Sequence, residues 1–447
     1  MYINTNLKKN LKHKKKLYIA VPTKFLISHI FSFIWTSFSI YISIDWVKDF
    51  SQIVPLHAAI IIIAGIAYIP GYINAFLVIS LLLDRQPAFK NLYPTDEITI
   101  LIAARNEADK IENTIKYIAK QDYTGQYKVI VIDNGSTDAT ASIAIEAGER
   151  FNVYVSVIRE DNPGKFIALN TGIKHVDTEY IITLDADTLL HKSALRYLVA
   201  RIKSAPNDIS AVAGSVLVRN SRDSLITKVQ EWDYFLAIAS IKRLQGLYQG
   251  TLVAQGAYSI YKTKNIKEIG GWPDAIGEDI VLTWTMLSKG WKIYFEPLAV
   301  AFTDVPTDLY AFSRQRSRWA RGMIEALKLI KPWHQPYAYT KYLTGINFIM
   351  PYIDFAYTFC WIPGLVLALF GIYWIVGPMT LLVLPLTLLS YTLLYIYQKH
   401  VFKSLNLKIR KNYLGFFIFI LFYQMIMSPI SVLGYLQEFF KLKRVWE

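Results

Sequence analysis

Hydrophobic and polar positions fall into two textures along this chain. From Phe25 to Ile44 the side chains are apolar apart from His29 and a few hydroxyls, and from Ala58 to Leu83 no charge occurs. Each run is long enough to cross a hydrocarbon layer of roughly 30 Å as a helix. Between about residues 90 and 330 the pattern changes. ITILIAA (98–104), YKVIVID (127–133), FNVYVSVI (151–158) and YIITLDAD (180–187) are short, apolar and rich in β-branched residues. They alternate with EADKIENTIKYIAKQ (107–121) and STDATASIAIEAGER (136–150), which carry helical spacing. Strand and helix in alternation predict a parallel sheet with crossover helices, in which ligands bind at the carboxyl ends of the strands. From Tyr342 to Gln398 the one charged side chain is Asp354, and the stretch has room for two crossings with a break near IVGPM (375–379). Tyr413 to Leu436 makes another.

This pattern divides the chain into a basic cytoplasmic N-terminus (1–24), two transmembrane helices (25–83) and an α/β domain (90–306). Interfacial helices (307–341), an interfacial segment with transmembrane helices (342–398), a basic cytoplasmic loop (399–412), a last transmembrane helix (413–436) and a tail (437–447) complete it.

Charge fixes the expected orientation. The 447 residues are 53% hydrophobic yet carry a formal charge of +14, and the excess is not spread evenly. Lys8, Lys9, Lys12, Lys14, Lys15 and Lys16 precede the first apolar run, and Lys399, Lys403, Lys408, Arg410 and Lys411 lie between two later ones. Such placement marks a cytoplasmic face beside anionic lipid, so nucleic acid is not the expected partner. The expectation is a multi-pass protein of the inner or plasma membrane with a cytoplasmic central domain. No small-residue cleavage site follows the first apolar run, which reads as an uncleaved anchor. Cys360 is the single cysteine, which excludes an intramolecular disulfide. Two crossings before the domain and three after it put the C-terminus outside, yet KLKRVWE is basic. Either one segment re-enters or lies flat at the interface, or the terminus departs from the charge rule. Pro351 and Asp354 mark the segment before Phe355 as the expected interfacial piece.

Several stretches in the domain could carry chemistry, and each also has a plain structural use. ARNE, from Ala104 to Glu107, ends the first strand and opens a helix. VIDNGSTD ends the second, placing Asp133 where a carboxylate can accept from a nucleobase N–H or simply cap a helix. DNPGKFIALNTGI (161–173) sets Lys165 at a helix start, a point charge suited to a diphosphate or a solvated surface lysine. Asp185 and Asp187 of LDADT fall on one face of an extended strand. Two such carboxylates repel unless a hard divalent cation with oxygen ligands joins them, or they cap a turn. Glu278 and Asp279 open an apolar helical run, where acids suit the helix N-terminus and one can serve as a general base. In RQRSRWARG (314–322) four arginines surround Trp319, which suits either an interfacial anchor or a platform for a sugar ring.

The order of these motifs resembles the processive family-2 glycosyltransferases, the superfamily of cellulose, chitin, hyaluronan and poly-N-acetylglucosamine synthases. The matching residues are Asp133, Gly164–Lys165, Asp185–Asp187, Glu278–Asp279 and Gln315–Arg318–Trp319, covering roughly residues 95–330. The resemblance implies an α/β GT-A (nucleotide-diphospho-sugar transferase) domain. It gives Ala104, Glu107, Asp133, Lys165 and Asp185 to the nucleotide-sugar, with Asp133 on uracil and Glu107 on ribose. Asp185 and Asp187 would hold Mg2+ or Mn2+. Asp279, beside Glu278, would be the base that deprotonates the acceptor hydroxyl. Gln315, Arg318 and Trp319 would serve the acceptor and the diphosphate, with Arg316 or Arg321 as further cations there. The implied reaction is inverting transfer from a UDP-sugar onto a growing polysaccharide that leaves through the membrane, with room for a small accessory membrane subunit. The stretch from Asn220 to Gly250 is most similar to the poly-N-acetylglucosamine branch, so UDP-N-acetylglucosamine is the expected donor. Gly277 stands where that branch has Thr before Glu-Asp, which leaves UDP-glucose or another UDP-sugar open. Two alternatives are a single-addition transferase making a lipid-linked sugar and a transporter with a nucleotide-sensing domain. The near absence of ionisable residues in the apolar runs argues against the transporter.

Overall fold

The structure, a computed structural model, describes residues 19–84 and 86–442. The lysines from Lys8 to Lys16, Arg85 and the basic residues after Leu442 lie outside the described residues.

The central domain is one eight-stranded sheet. Its strands are β1 (Ile98–Ala104), β2 (Tyr127–Asp133), β3 (Val155–Arg159), β4 (Tyr180–Leu184), β5 (Leu189–Leu190), β6 (Ile209–Val218), β7 (Tyr258–Lys262) and β8 (Lys292–Thr303). The order is β3-β2-β1-β4-β7-β6-β8-β5. The first four strands run parallel, as the alternation predicts. The sheet as a whole is mixed, because β7 runs antiparallel to both β4 and β6 and β5 antiparallel to β8. Both faces are covered, which explains the nearly continuous apolar strands. Ile98, Ile100 and Ile102 pack toward Ile111, Ile115 and Ile118. The intervening Leu101 packs with Ala168, Leu169 and Ile173 on the other face.

Boundaries differ from the sequence pattern at three places. Helix Thr140–Phe151 runs into the stretch expected as strand, and Asn152 ends it in the left-handed region at φ 55°. Asparagine tolerates that conformation, so β3 starts only at Val155. The helix expected from Glu107 begins at Ile111, after Asn106 at φ 54°. β4 ends at Leu184, so Asp185 and Asp187 lie in the turn after the strand, where the Thr188 N–H donates to the Asp185 carbonyl at 3.1 Å.

Five helices among the described residues are long and apolar enough to cross a membrane: Val21–Ile42, Leu56–Leu82, Ala338–Leu369, Pro378–Ser404 and Tyr413–Phe439. The segment around Asp354 belongs to the continuous helix Ala338–Leu369 and forms no separate piece. Its carboxylate accepts from Ser428 Oγ at 2.9 Å and from the Tyr435 hydroxyl at 2.6 Å. A partner helix thus satisfies the acid that marked it as interfacial. Helix Tyr413–Phe439 touches helix Leu225–Trp232 at its start and helix Leu309–Leu329 at its end. Asn412 Nδ2 donates to the Lys228 carbonyl at 2.7 Å, and Arg321 Nη2 donates to the Leu442 carbonyl at 2.9 Å.

Candidate active site

The carboxyl ends of β1, β2 and β4 gather the predicted residues. Ala104 and Asp133 are register partners on adjacent strands, both buried. Asp133 Oδ1 accepts from the Ser136 N–H at 3.0 Å, closing a turn under the next helix. The adjacent Asn134, which the motif reading passed over, ties three segments together. Its N–H donates to the Ala104 carbonyl at 2.8 Å, its Nδ2 to the Asn162 carbonyl at 2.6 Å, and its Oδ1 accepts from the Gly164 N–H at 2.8 Å. Gly164 has φ 148°, open to glycine and strained for other residues. It swings the chain into helix Lys165–Ile173.

Lys165 then reaches Asp185, with Nζ to Oδ1 at 2.5 Å. Gly256 leaves the room for it: a Cβ there would stand 3.0 Å from Lys165 Nζ and 3.6 Å from Glu278 Oε1. Two predicted residues, Lys165 and Glu278, therefore meet at one glycine, and Lys165 ties Asp185 to them. Burial works against the Lys165 charge, but Asp185, Glu278 and Asp279 outweigh it and hold the ammonium above its ordinary range. Burial and the neighbouring Asp279 push the Glu278 carboxyl up, against the pull of Lys165.

Asp187, two residues after Asp185, takes two hydroxyl donors. Its Oδ1 accepts from Thr188 Oγ1 at 3.2 Å and from Thr303 Oγ1 at 3.3 Å. Burial, then Asp185 and Glu107, raise its carboxyl to about 6. Glu107 lies near and pairs with Lys110 at 3.0 Å. Among the described residues no three histidine, cysteine or acidic side chains close around a metal position. Two carboxylates without a cage suit Mg2+ or Mn2+, which take their remaining ligands from substrate phosphates and water.

Glu278 and Asp279 open helix Glu278–Ser288, which docks on helix Leu309–Leu329, the carrier of Gln315, Arg318 and Trp319. The Ile276 N–H donates to Glu325 Oε2 at 2.7 Å. Beside it the backbones meet at Gly277 and Gly322, where a Cβ on Gly322 would fall 2.9 Å from Gly277 Cα. The Gly277 that departs from the Thr-Glu-Asp pattern is thus one half of a glycine–glycine contact.

Not every residue of RQRSRWARG faces the acids. Arg316 is buried and donates to Asp233 Oδ2 at 2.7 Å. Arg321 is buried beside Leu442 and Glu438. Neither is placed as the further diphosphate cation that the sequence suggested. Arg318 is exposed, Trp319 is 42% exposed, and the Gln315 Oε1 is buried without a hydrogen-bond partner. No contact joins Arg318 or Trp319 to the acidic cluster among the described residues. Lys242 was not flagged by any motif. Its Nζ donates to the Val253 carbonyl at 3.2 Å, and burial draws its ammonium down to about 7 against the pull of Asp279.

Comparison with known proteins agrees with this architecture. The family model described as glycosyltransferase like family 2 matches residues 94–322. The chain belongs to that family, and it is a glycosyltransferase with a GT-A fold. It is 35% identical over 246 residues to the poly-beta-1,6-N-acetyl-D-glucosamine synthase of Staphylococcus aureus (strain MSSA476), covering 55% of this chain and 58% of that protein. The protein of the same name from Staphylococcus epidermidis is 32% identical over 268 residues, covering 60% of this chain and 64% of that one. The match thus spans less than two thirds of these curated relatives. Among solved structures, the mannosyltransferase PcManGT from Pyrobaculum calidifontis, in complex with GDP-Man and Mn2+, superposes with a TM-score of 0.55 at 18% identity. That match covers 82% of this chain and 93% of PcManGT, and likens the fold alone.

Proposed function

We propose that this chain is a membrane-embedded, processive, inverting β-glycosyltransferase that polymerises UDP-N-acetylglucosamine and passes the polysaccharide across the membrane. The observation that carries the reading is Lys165 meeting Glu278 at Gly256 while pairing with Asp185, beside the helix that bears Gln315, Arg318 and Trp319. The names of the Staphylococcus relatives support the donor and the polymer.

In this reading Asp133 accepts from the uracil N–H, Ala104 and Glu107 line the nucleoside, and Lys165 turns from Asp185 to the diphosphate. Asp185 and Asp187 hold a divalent cation, which when bound neutralises charge on the leaving diphosphate. Asp279 takes the proton of the acceptor hydroxyl as that oxygen bonds to C1 of the donor sugar. The C1–O bond to the diphosphate breaks in the same displacement, and UDP leaves, so an α-linked donor gives a β-glycoside. Trp319 holds the terminal sugar of the chain by its flat face. Catalysis takes place on the cytoplasmic side of the cell membrane, with the five apolar helices in or along the bilayer. An accessory membrane subunit remains compatible with this arrangement.

Offering the purified full chain UDP-N-acetylglucosamine, UDP-glucose and UDP-galactose separately, with Mn2+, tests the donor. Incorporation into polymer from the first alone is expected. Polymer from UDP-glucose alone would move the protein to another branch of the superfamily.

A further inference from the structure

A cavity of about 560 Å3 lies between the outer edge of the sheet and the basic segment between the last two long apolar helices. This is within the size range of small-molecule sites. Its floor and walls are apolar: Leu190, Leu217, Phe302, Trp232, Phe235 and Phe402. Its rim is cationic, with Lys120, Lys192, Lys408 and Arg410 all exposed. None of these four makes a salt bridge among the described residues. The acid at the rim, Glu231, is already engaged by Arg222 Nη1 at 2.8 Å and Asn412 Nδ2 at 2.7 Å. The site therefore offers unneutralised positive charge above an apolar hollow, which matches an anion attached to hydrocarbon.

Its position narrows the source of that anion. Phe402 lies near the end of the apolar helix Pro378–Ser404, and Lys408 and Arg410 immediately precede helix Tyr413–Phe439. Trp232 and Phe235 continue into a hydrophobic cluster with Phe416, Phe419 and Leu394 of those two helices. The apolar wall is thus continuous with helices suited to lipid, and basic residues at such helix ends attract acidic headgroups. We propose that this cavity binds an anionic phospholipid, with the phosphate among Lys408, Arg410 and Lys192 and the first acyl segment against Trp232, Phe235 and Phe402.

The bound lipid would press on the strand pair behind the predicted metal site. Leu190 follows Asp187 by three residues, and its partner β8 carries Thr303, whose hydroxyl donates to Asp187. The binding itself is independent of which sugar the enzyme transfers.

The test uses the full chain reconstituted in phosphatidylcholine nanodiscs with and without phosphatidylglycerol, reading co-purifying lipid by native mass spectrometry after detergent exchange. Retention of phosphatidylglycerol over phosphatidylcholine is expected. The double variant Lys408→Ala/Arg410→Ala should lower that retention by on the order of tenfold or more, from the contribution of each basic residue near an anionic headgroup. Leu407→Trp keeps every cation and fills the hollow, and it too should lose the lipid. UDP affinity serves as the folding control and should be unchanged in both. Equal retention of the two lipids, or unchanged retention in either variant, overturns the proposal. Displacement of the lipid by free sn-glycerol 1-phosphate at similar concentration would overturn it in favour of a soluble anion site.

Discussion

The guanidinium of Arg316 stands 4.2 Å from the ring centroid of Trp319. The same guanidinium donates to Asp233 at 2.7 Å. One face of the indole is therefore taken by a buried cation that is itself anchored, and the ring is held rigid while 42% of Trp319 stays exposed. In the proposed reading, a fixed aromatic with this exposure would stack on a sugar ring, and Arg316 would hold it in place.

Trp319→Ala should leave UDP affinity intact and cut polymer formation severely, leaving donor hydrolysis or short products. Trp319→Phe keeps a smaller face and should recover part of the activity, since ring stacking contributes on the order of 1 kcal/mol beyond area burial. Arg316→Ala acts differently: it strands the buried Asp233 carboxylate, at a cost of about 3–5 kcal/mol. Thermal unfolding should show a large loss for Arg316→Ala and a small one for Trp319→Ala. The reverse order would remove Arg316 from its anchoring role.

Gly322→Ala tests the docking of the Glu278–Asp279 segment. The added Cβ would meet the Gly277 backbone at 2.9 Å, a neighbour with no side chain to rotate away. The segment carrying the proposed base must shift, and a misplacement of about 1 Å can cost two orders of magnitude in rate. Turnover should fall by at least tenfold on that scale while UDP affinity holds. Wild-type turnover in Gly322→Ala would show that the contact does not position the base.

Lys242 gives a pH dependence with a definite sign. Its folded-state value of about 7 lies below the ordinary 10.5 of lysine. Between those two pH values the unfolded chain binds more protons than the folded one, so stability rises with pH across that window. Below pH 7 both states are protonated and this slope vanishes. Lys242→Met should flatten the rise in thermal stability between pH 7 and pH 10. An unchanged slope in the variant would assign it to other groups.

The topology of the last helix follows from its two ends. Tyr413–Phe439 is held at Asn412 by the Lys228 carbonyl of helix Leu225–Trp232 and near its other end by Lys328 of helix Leu309–Leu329, which pairs with Glu438 at 2.8 Å. Exposed Leu414, Phe417, Leu421, Leu433 and Leu436 leave an apolar surface along it. The expected arrangement is a helix along the membrane surface, which leaves four crossings and brings Lys441 to the side of the domain. In a Cys360→Ser background, single cysteines at Ser142 and Lys441 should be labelled from the same side. Labelling from opposite sides would restore a fifth crossing.

Much of this was legible in the sequence because it depends on local pattern. β1 and β2 were predicted to the residue, since strands covered on both faces read as unbroken apolar runs. The five apolar helices follow from length and composition. What escaped depends on contacts between distant segments. The chain turns at the DxD acids, where the Thr188 N–H closes on the Asp185 carbonyl at 3.1 Å and Ala257, 72 residues away, takes the Asp185 N–H at 3.2 Å. The partners of Asp354, Ser428 and Tyr435, lie 74 and 81 residues further along the chain, beyond any local pattern. Arg316 and Arg321 read as substrate cations, yet Asp233 and the end of helix Tyr413–Phe439 claim them. The glycine pair Gly277–Gly322 carries no signal in one sequence beyond the departure at Gly277.

The most direct measurement is product length at low donor conversion. Purified full chain in liposomes receives labelled UDP-N-acetylglucosamine with Mn2+, and products are sized while most donor remains unused. The account predicts long polymer beside unreacted donor from the earliest time points, all of it lost in excess chelator. Asp279→Asn should bind UDP yet form polymer slower by roughly two or more orders of magnitude, the scale of a lost general base. A ladder of one- and two-sugar products that lengthens only as donor is consumed, or a single sugar on lipid, would contradict processive synthesis.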